Sequence, residues 1–321
     1  MNEFDFIRDM LAPLAGEGAF ELRDDAAVLR PGREGLVVTA DMLVEGRHFR
    51  ADCPPDTIAK KALRANLSDL AAKGARPVSY LLSIAWPEVR DQAWRAGFVA
   101  GLKEDQVRYD LALLGGDTTM TDGPMAVSIT AFGAPGPRGM VRRAGAHAGE
   151  AVYLTGAVGA AGLGLRVLEG EAMPAGVETQ KLIEAYRTPS PAVWFGPVVG
   201  EHAGASIDVS DGVLADAAHI AEASGVMLEI DLDRLPLAPA TRAWMEAQPD
   251  RAAALAALAA SGDDYQILMT ASPDEEAVLT TAAREARTKL TRVGRVLSGE
   301  GLRVLAAGEE IRPKRLGFTH F

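Results

Sequence analysis

Six short acidic motifs, spread between positions 23 and 265, constrain this chain more than any other feature. They read Arg23-Asp24-Asp25-Ala26, Thr39-Ala40-Asp41, Asn66-Leu67-Ser68-Asp69, Gly115-Gly116-Asp117-Thr118-Thr119, Asp208-Val209-Ser210-Asp211-Gly212 and Ser261-Gly262-Asp263-Asp264-Tyr265. Most lie beside Gly, Ser or Thr, where an apolar run ends. Carboxylates that a fold brings together repel one another unless a cation neutralises them, and aspartate oxygens are ligands that Mg²⁺ accepts. If the fold gathers these motifs, they predict a phosphate-handling site with several magnesium ions.

The apolar runs between these motifs predict a two-part α/β chain. Predicted strands in the first part are Leu36–Met42, Ser79–Trp86, Leu111–Gly116 and Met125–Phe132, and predicted helices are Asp56–Lys73 and Asp91–Arg108. Predicted strands in the second part are Ala151–Leu154, Ala205–Val209, Val226–Ile230, Tyr265–Thr270 and Leu290–Leu297, with helices at Glu178–Arg187, Val213–Ala223, Arg251–Ala260 and Asp274–Arg287. Strands and helices mix without strict alternation. The fold class predicted is therefore α/β (α+β) with mixed or antiparallel sheets, rather than a doubly wound parallel sheet.

The densest cluster of Gly and Pro is Ala134–Gly139, and such clusters are typical of links between domains. We therefore expect an N-terminal domain over residues 1–138 and a C-terminal domain over residues 139–321.

Charge, cysteine content and the length of the apolar runs exclude several classes of protein. The formal net charge of −11 argues against nucleic acid or an anionic membrane as a partner, and it requires divalent cations wherever ATP binds. The one cysteine, Cys53, excludes an internal disulfide and fits a reducing compartment. No apolar run approaches the ~18 residues that span a bilayer, and Met1–Leu11 lacks the pattern of a signal peptide. A cytoplasmic protein is expected.

Taken singly, most of the acidic motifs have an ordinary structural explanation as well. Asp24-Asp25 also fits a turn or a helix cap, and Asp69, three residues after Asn66 on a predicted helix, also fits an exposed surface. Gly115–Thr119 fits either a hairpin turn or a close approach of backbone to a ligand. The segment Asp208–Gly212 is the most specific, because capping a helix needs only one of its polar residues and leaves carboxylates for a cation.

Several familiar nucleotide motifs are absent from the sequence. The glycine-rich segment Thr155–Gly164 follows a predicted strand but does not have the G-x-G-x-x-G spacing, so it is interpreted as close helix–strand packing. There is no Walker G-x-x-x-x-G-K-[ST] either, which leaves a P-loop kinase unsupported.

In their order, the motifs resemble those of the bacterial thiamine-monophosphate kinases. The segments that carry the resemblance are Asp24–Val28, Thr39–Phe49, Asn66–Pro77, Gly115–Thr119 and Asp208–Gly212. The likeness spans Phe6 to Phe321, and the wider group is the aminoimidazole ribonucleotide synthetase-like ATP-binding superfamily. His48 and the tail Gly317–Phe321 favour the thiamine branch.

The resemblance implies a fold, a reaction and a set of site residues. It implies an N-terminal domain that pairs across a homodimer, and Mg-dependent transfer of the ATP γ-phosphate to thiamine monophosphate, giving thiamine diphosphate and ADP. The implied magnesium ligands are Asp25, Thr39, Asp41, Asp69, Asp117, Asp208 and Asp211. The implied ATP contacts are Gly116, Asp117, Arg143 and Ser210, and the implied contacts to thiamine monophosphate are His48, Asp263 and Phe318.

The sequence departs from the family pattern at three positions. Arg23 stands in place of Gly, Ala40 in place of Thr or Ser, and Asp263 in place of the longer Glu. Two alternatives stay open: another ATP-dependent synthetase of the same superfamily, and a nucleotide-binding regulator that has lost catalysis. No catalytic general base is expected, because the acceptor is itself an ionised phosphate.

Overall fold

The computed structural model describes residues 3–22, 27 and 29–318. The helices are α1 Glu3–Phe6, α2 Pro55–Ala72, α3 Gln92–Tyr109, α4 Ala160–Leu168, α5 Thr179–Arg187, α6 Gly196–His202, α7 Val213–Ser224, α8 Pro239–Glu246, α9 Arg251–Ala259 and α10 Glu276–Glu285. The strands are β1 Val37–Val44, β2 Ala75–Pro87, β3 Ala112–Thr121, β4 Ala126–Pro135, β5 Ala151–Thr155, β6 Ala205–Val209, β7 Met227–Asp231, β8 Gln266–Ala271, β9 Leu290–Leu297, β10 Gly301–Ala306 and β11 Glu309–Ile311. Among these residues, no helix is both long and apolar enough to cross a membrane.

The first sheet has the strand order β1-β4-β2-β3. Its β1/β4 and β4/β2 pairs are antiparallel, whereas β2 and β3 run parallel. The predicted apolar stripe of α2, Leu63, Leu67 and Leu70, is fully buried in the core of this part of the chain. On β1, Val37 and Leu43 are buried, whereas Val38 and Met42 are exposed on the opposite face. Because side chains alternate along a strand, Thr39 and Asp41 lie on the buried, helix-covered side of the sheet.

The second sheet has the strand order β11-β10-β7-β9-β5-β8-β6. The β10/β7 pair is parallel, and the remaining pairs are antiparallel. Both sheets are thus mixed, which confirms the predicted fold class. The first sheet ends at Pro135 and the second begins at Ala151. The division into domains at residues 138 and 139 stays a prediction.

Helix α2 connects the two parts of the fold. Its last residues, Ala71 and Ala72, belong to a core cluster that also holds Phe195, Val199 and Ile267 from the second part. Close to this contact, Gly74 lies against the backbone of Gly200, where an added Cβ would approach to 2.6 Å. The carboxyl end of α2, which carries Asp69, is therefore held against the second sheet.

The structure extends the predicted strand Leu111–Gly116 through the whole of Gly115–Thr119, so the hairpin-turn interpretation of this segment is wrong. These residues lie inside β3, which runs on to Thr121 and pairs with β2. Gly116 has a φ of 149°, and a Cβ there would lie 1.7 Å from the Leu82 carbonyl oxygen. The glycine therefore permits close strand pairing rather than a turn. The Thr155–Gly164 glycines allow close packing, but at Gly164 the contact is between two helices rather than between helix and strand, since a Cβ on Gly164 of α4 would lie 2.0 Å from the Leu182 carbonyl of α5.

Candidate active site

A cavity of about 520 Å³ lies where β1 and α2 meet the β6–α7 connection. Most of the site residues expected from the sequence line it together. These are Asp41, His48, Asp69, Asp208, Ser210, Asp211, Asp263 and Phe318. They come from four of the six acidic motifs, together with His48 and Phe318, so the fold brings together residues that are far apart in the sequence.

Asp69 is the centre of the acidic side of this cavity. Its Oδ2 accepts a hydrogen bond from the Thr39 hydroxyl, and its carboxyl group lies within hydrogen-bonding reach of both Asp41 and Asp208. Asn66, one turn earlier on α2 and fully buried, accepts the backbone N–H of Asp41 at 3.1 Å. Asn66 and Asp69, three residues apart on α2, therefore have different roles. Asn66 holds β1 in place, and Asp69 faces the cavity.

Burial and mutual repulsion raise the pKa values of these carboxyl groups. Burial raises the pKa of Asp41 to about 7, and the charge of Asp69 adds to the shift. The pKa of Asp208 lies well above its usual range, again because of burial first and the charge of Asp69 second. Both shifts mean that the ionised forms are unfavourable here without a nearby positive charge.

The donors suit magnesium chemically, because all of them are oxygen atoms. Within the described residues, no three His, Cys, Asp or Glu side chains are arranged to hold one metal ion, and the carboxyl groups meet in pairs instead. Mg²⁺ is usually bound through one or two carboxylates together with substrate phosphates and water. The pairs Asp41–Asp69 and Asp69–Asp208 therefore fit that mode of binding.

The β6–α7 connection leaves Asp211 free for the cavity. The N-cap position of α7 is Gly212, with a φ of 119° and no capping side chain of its own. Instead Asp216, in the first turn, accepts the backbone N–H groups of Asp211 and Gly212 at 3.3 and 3.1 Å. Burial, reinforced by Asp211, raises the pKa of Asp216 to about 8. Capping by Ser210 or Asp211, the structural alternative, is not what the structure shows.

The opposite wall of the cavity is built around Asp263. Its backbone has a φ of 68° and its N–H donates to the Ser210 carbonyl at 2.8 Å, which ties the last acidic motif to the β6–α7 connection. Both carboxylate oxygens have partners. Oδ1 accepts the Tyr265 hydroxyl at 3.1 Å, and Oδ2 accepts the Lys61 ammonium at 2.9 Å.

Lys61 is a residue that sequence reasoning missed. It lies on α2, it is only 1% exposed, and its Nζ also donates to the His48 carbonyl at 2.9 Å. The same ammonium lies 3.9 Å from the centroid of the Tyr186 ring. The sequence around Lys61, a helix rich in alanine and leucine, did not indicate a functional lysine. Its partner Asp263 is 202 residues away in the sequence, and only the fold brings the two together.

His48 and Phe318 complete the wall that is expected to face the thiamine substrate. The Nδ1 atom of His48 accepts the Val44 backbone N–H at 2.9 Å, which fixes the ring orientation in the turn after β1. The backbone N–H of Phe318 donates to the Asp211 carbonyl at 3.0 Å, and its side chain is 53% exposed. The tail is thus docked on the β6–α7 connection, and Phe318 lines the cavity.

Five expected site residues do not line this cavity. Thr39 is the nearest of them, since its hydroxyl donates to Asp69, which does line it. Asp25 lies outside the described residues. Gly116 and Asp117 lie on β3, at the opposite edge of the first sheet from β1. Asp117 pairs with the exposed Ser83, so it lies on the face away from α2 and α3. Their roles as ligands stay predictions.

Arg143 lies in the connection between the two sheets and is exposed. It is close enough to act on Lys73: burial first, and the charge of Arg143 second, lower the pKa of that ammonium to about 8. Lys73, a second residue that the sequence did not reveal, donates to the Ser206 carbonyl at 2.6 Å. Arg143 therefore borders the acidic side of the cavity, and its contact with ATP stays a prediction.

Comparisons with known proteins agree with this architecture. Residues 23–134 match the family model for AIR synthase related protein, N-terminal domain, and residues 147–306 match that for AIR synthase related protein, C-terminal domain. A thiamine-monophosphate kinase of Caulobacter vibrioides is 44% identical, over 99% of this chain and 91% of its own length. That of Escherichia coli strain K12 is 34% identical, over 93% of this chain and 90% of its own.

Two solved structures are also similar. The thiamine-monophosphate kinase from Stenotrophomonas maltophilia K279a matches with a TM-score of 0.80 and 36% identity, covering 90% of this chain and 91% of that one. AaThiL complexed with AMPPCP and TMP matches with a TM-score of 0.78 and 29% identity, covering 99% and 97%. The chain therefore belongs to the thiamine-monophosphate kinase family, within the AIR synthase related proteins.

Proposed function

We propose that this chain is a thiamine-monophosphate kinase, which transfers the γ-phosphate of ATP to thiamine monophosphate and forms thiamine diphosphate and ADP. The observation that carries the proposal is one cavity in which the paired carboxyl groups of Asp41, Asp69 and Asp208 face a second wall containing His48, Asp263 and Phe318. The relatives are named for this activity, and a similar structure was solved with AMPPCP and TMP.

The chemistry requires positioning rather than a general base. A phosphate monoester has a second pKa of about 6, so the acceptor is largely ionised at neutral pH and needs no side chain to remove a proton. Direct attack by this phosphate on the γ-phosphorus forms the new P–O bond as the bond to ADP breaks. What the chain must do is hold two polyanions in line.

We assign the magnesium ions to the acidic wall. Asp41, Asp69 and Asp208, with Asp211 and Thr39 beside them, would hold several Mg²⁺ ions, which neutralise phosphate charge when bound. This wall repels phosphate without a cation, because its carboxyl groups already repel one another. The residues of the other wall, His48, Asp263 and Phe318, would orient the acceptor, and Ser210 would contact ATP.

We further propose that the working form is a cytosolic homodimer that pairs the open faces of two first sheets. Val38 and Met42 are 56% and 57% exposed on that face. Asp117 lies on the same face. Pairing these faces would cover the apolar side chains, and it would place Asp117 and Gly116 where a second subunit completes the ATP site.

An assay of ADP release, in which each candidate acceptor is tested by itself, tests the function. We expect turnover with thiamine monophosphate, ATP and Mg²⁺, with thiamine diphosphate as the product, and none with thiamine as the acceptor. Turnover only with a carbonyl acceptor would favour another synthetase of the superfamily. Nucleotide binding without any turnover would favour the regulator. An isolated aspartyl-phosphate would exclude direct transfer.

Substitution of the acidic wall tests the site. Asp41→Asn and Asp69→Asn should each lower turnover by more than about 100-fold, because a neutral amide is a poor magnesium ligand. The thermal unfolding temperature should not fall, since each change removes a repelling charge. Asp122→Asn, at an exposed position outside the cavity, is the matched control. Near-normal turnover in both variants would refute the assignment.

A further inference from the structure

A second cavity, of about 730 Å³, lies back to back with the candidate active site. Its size falls in the range of ordinary small-molecule sites, about 300–1,000 Å³. It is lined by the end of α3, by the segment around Trp194, and by the connection between α10 and β9. Neither the proposed reaction nor its site residues use this cavity.

One segment separates the two cavities. Asp263 and Tyr265 line the candidate active site, whereas Asp264 and Gln266 line the second cavity. The side chains therefore alternate between two different spaces. Asp264 is held by the Gly159 backbone N–H at 2.7 Å, and the Gln266 amide donates to the Ser190 carbonyl at 3.1 Å. These hydrogen bonds hold the segment in place between the two cavities, so the second cavity is separate from the candidate active site.

The second cavity carries an excess of positive charge in a chain whose net charge is −11. Arg108, Arg287 and Lys289 line it, against a single exposed carboxylate, Glu285, and the buried Asp264. Burial raises the pKa of Asp264 to about 8, so this carboxyl group is largely protonated at neutral pH. The exposed charges at the cavity are thus mainly cationic.

The conformation of Arg287 places one of these cations in an unusual way. Helix α10 ends with the Thr288 N–H donating to the Ala283 carbonyl at 2.8 Å and with Arg287 at a φ of 52°. Glycine is the usual residue at such a helix end, and another residue costs roughly 1 kcal/mol there. Despite this cost the position is occupied by arginine, whose side chain lines the cavity.

Aromatic side chains lie beside the cations. Trp194 is 51% exposed, and its ring centroid lies 6.4 Å from that of Tyr109 at an angle of 32°. The Arg108 guanidinium lies 5.2 Å from the centroid of the Tyr109 ring. An exposed indole next to guanidinium groups suits a ligand that combines a flat ring with an anionic group.

We propose that the second cavity binds a small phosphorylated ring compound of nucleoside-monophosphate size, and that it does so without a metal ion. The phosphate would be bound by Arg108, Arg287 and Lys289, and the ring would pack on Trp194. The candidate active site is the opposite case, since its acidic wall requires a cation before phosphate can bind.

Binding of a phosphorylated ligand in the absence of metal ions distinguishes the second cavity from the candidate active site. With AMP as the probe and EDTA in the buffer, we expect calorimetry to show one site per chain and the tryptophan fluorescence to change. Trp86 and Trp244 are buried, and Trp94, at the start of α3, does not line the cavity, so Trp194 should give most of that change. Trp194→Phe should remove most of the fluorescence change. Arg287→Gln and Arg108→Gln should each weaken AMP binding at least tenfold.

The control is Arg284→Gln, which neutralises an exposed arginine in the last turn of α10 that does not line the cavity. Its AMP affinity should equal that of the unchanged protein. Urea unfolding of each variant verifies that the fold is intact. The proposal is overturned if AMP at millimolar concentration does not bind in EDTA, if Arg287→Gln and Arg284→Gln weaken binding equally, or if inorganic pyrophosphate binds as tightly as AMP, which would leave the ring without a role.

Discussion

Lys61 shows how much one side chain contributes to the candidate active site. Its ammonium joins α2 to the His48 carbonyl, to Asp263 and to the Tyr186 ring, and it is almost completely buried. A buried ammonium is costly unless all of its hydrogen bonds are satisfied. We infer that Lys61 is a positioning residue, which holds Asp263 and the turn at His48 in the arrangement that the acceptor meets.

We expect Lys61→Met to raise the KM for thiamine monophosphate at least tenfold and to leave the KM for ATP nearly unchanged. Methionine keeps most of the volume but leaves two oxygen acceptors without their donor, which should also lower the free energy of unfolding by about 1–3 kcal/mol. Steady-state kinetics and urea unfolding measure both effects. Lys103→Met, at an exposed position of α3, is the control. An unchanged KM for the acceptor would exclude the positioning role.

Asp264 makes the stability of the fold depend on pH. Burial raises its pKa to about 8 in the folded protein, against 3.8 for the ordinary group, although backbone N–H groups of Gly159 and Ala161 work in the other direction. Between these two values the folded state binds more protons than the unfolded state. Stability therefore falls as pH rises from about 4 to 8 and does not fall further on this account above pH 8.

We expect Asp264→Asn to reduce that decline. Urea unfolding at pH 5.5, 7 and 8.5, in EDTA so that no metal contributes, measures the free energy of unfolding across the interval. The variant should lose less stability than the unchanged protein between the first and last pH. The decline should not vanish, because Asp216 has a similarly raised pKa of about 8. Equal pH dependence in both proteins would contradict the prediction.

At the scale of elements, a buried ion pair joins α2 to α3. Arg64 donates to both oxygens of Asp105 at 2.7 Å, and it also donates to the Pro189 carbonyl at 2.9 Å in the second part of the chain. Both side chains are buried. A neighbouring pair, Lys60 with Glu104, connects the same two helices at the surface.

We expect Asp105→Ala to lower the free energy of unfolding by about 3–5 kcal/mol, because it leaves the Arg64 guanidinium buried without its counter-charge. Glu104→Ala should cost less than about 1 kcal/mol, since its carboxylate is 65% exposed. Denaturant unfolding of the two variants makes a matched comparison along one helix. Equal losses would show that burial does not determine the contribution of these pairs.

The elements were predictable to different degrees. Strands with apolar runs, such as β1 and β6, and the leucine stripe of α2 follow from periodicity, and the structure has them within a few residues. β3 was predicted to end at Gly116, because Gly115-Gly116 is typical of a turn, whereas pairing with β2 keeps the strand extended to Thr121. Short helices such as α6 and α8 were missed, since Pro and Gly at their starts hide the helical pattern.

At the scale of the whole molecule, the open face of the first sheet should mediate dimerisation. We expect Val38→Asp to convert the dimer to a monomer in light scattering and to reduce turnover, because it places a charge in the proposed interface. Val89→Asp introduces the same charge at a site that is 84% exposed in the turn after β2, and it should leave the dimer intact. A monomeric unchanged protein, or a dimeric Val38→Asp, would refute the proposed interface.

The sequence by itself determined the family, the fold class and the residue types of the candidate active site, because acidic motifs at the ends of apolar runs are local patterns. Tertiary structure alone decided which of them meet. It gathers Asp41, Asp69, Asp208 and Asp211 in one cavity and leaves Asp117 on another face of the first sheet. It also brings Lys61 to Asp263. The reason is physical: periodicity and turn chemistry act over a few residues, whereas strand order and helix docking set the distance between residues far apart in the chain.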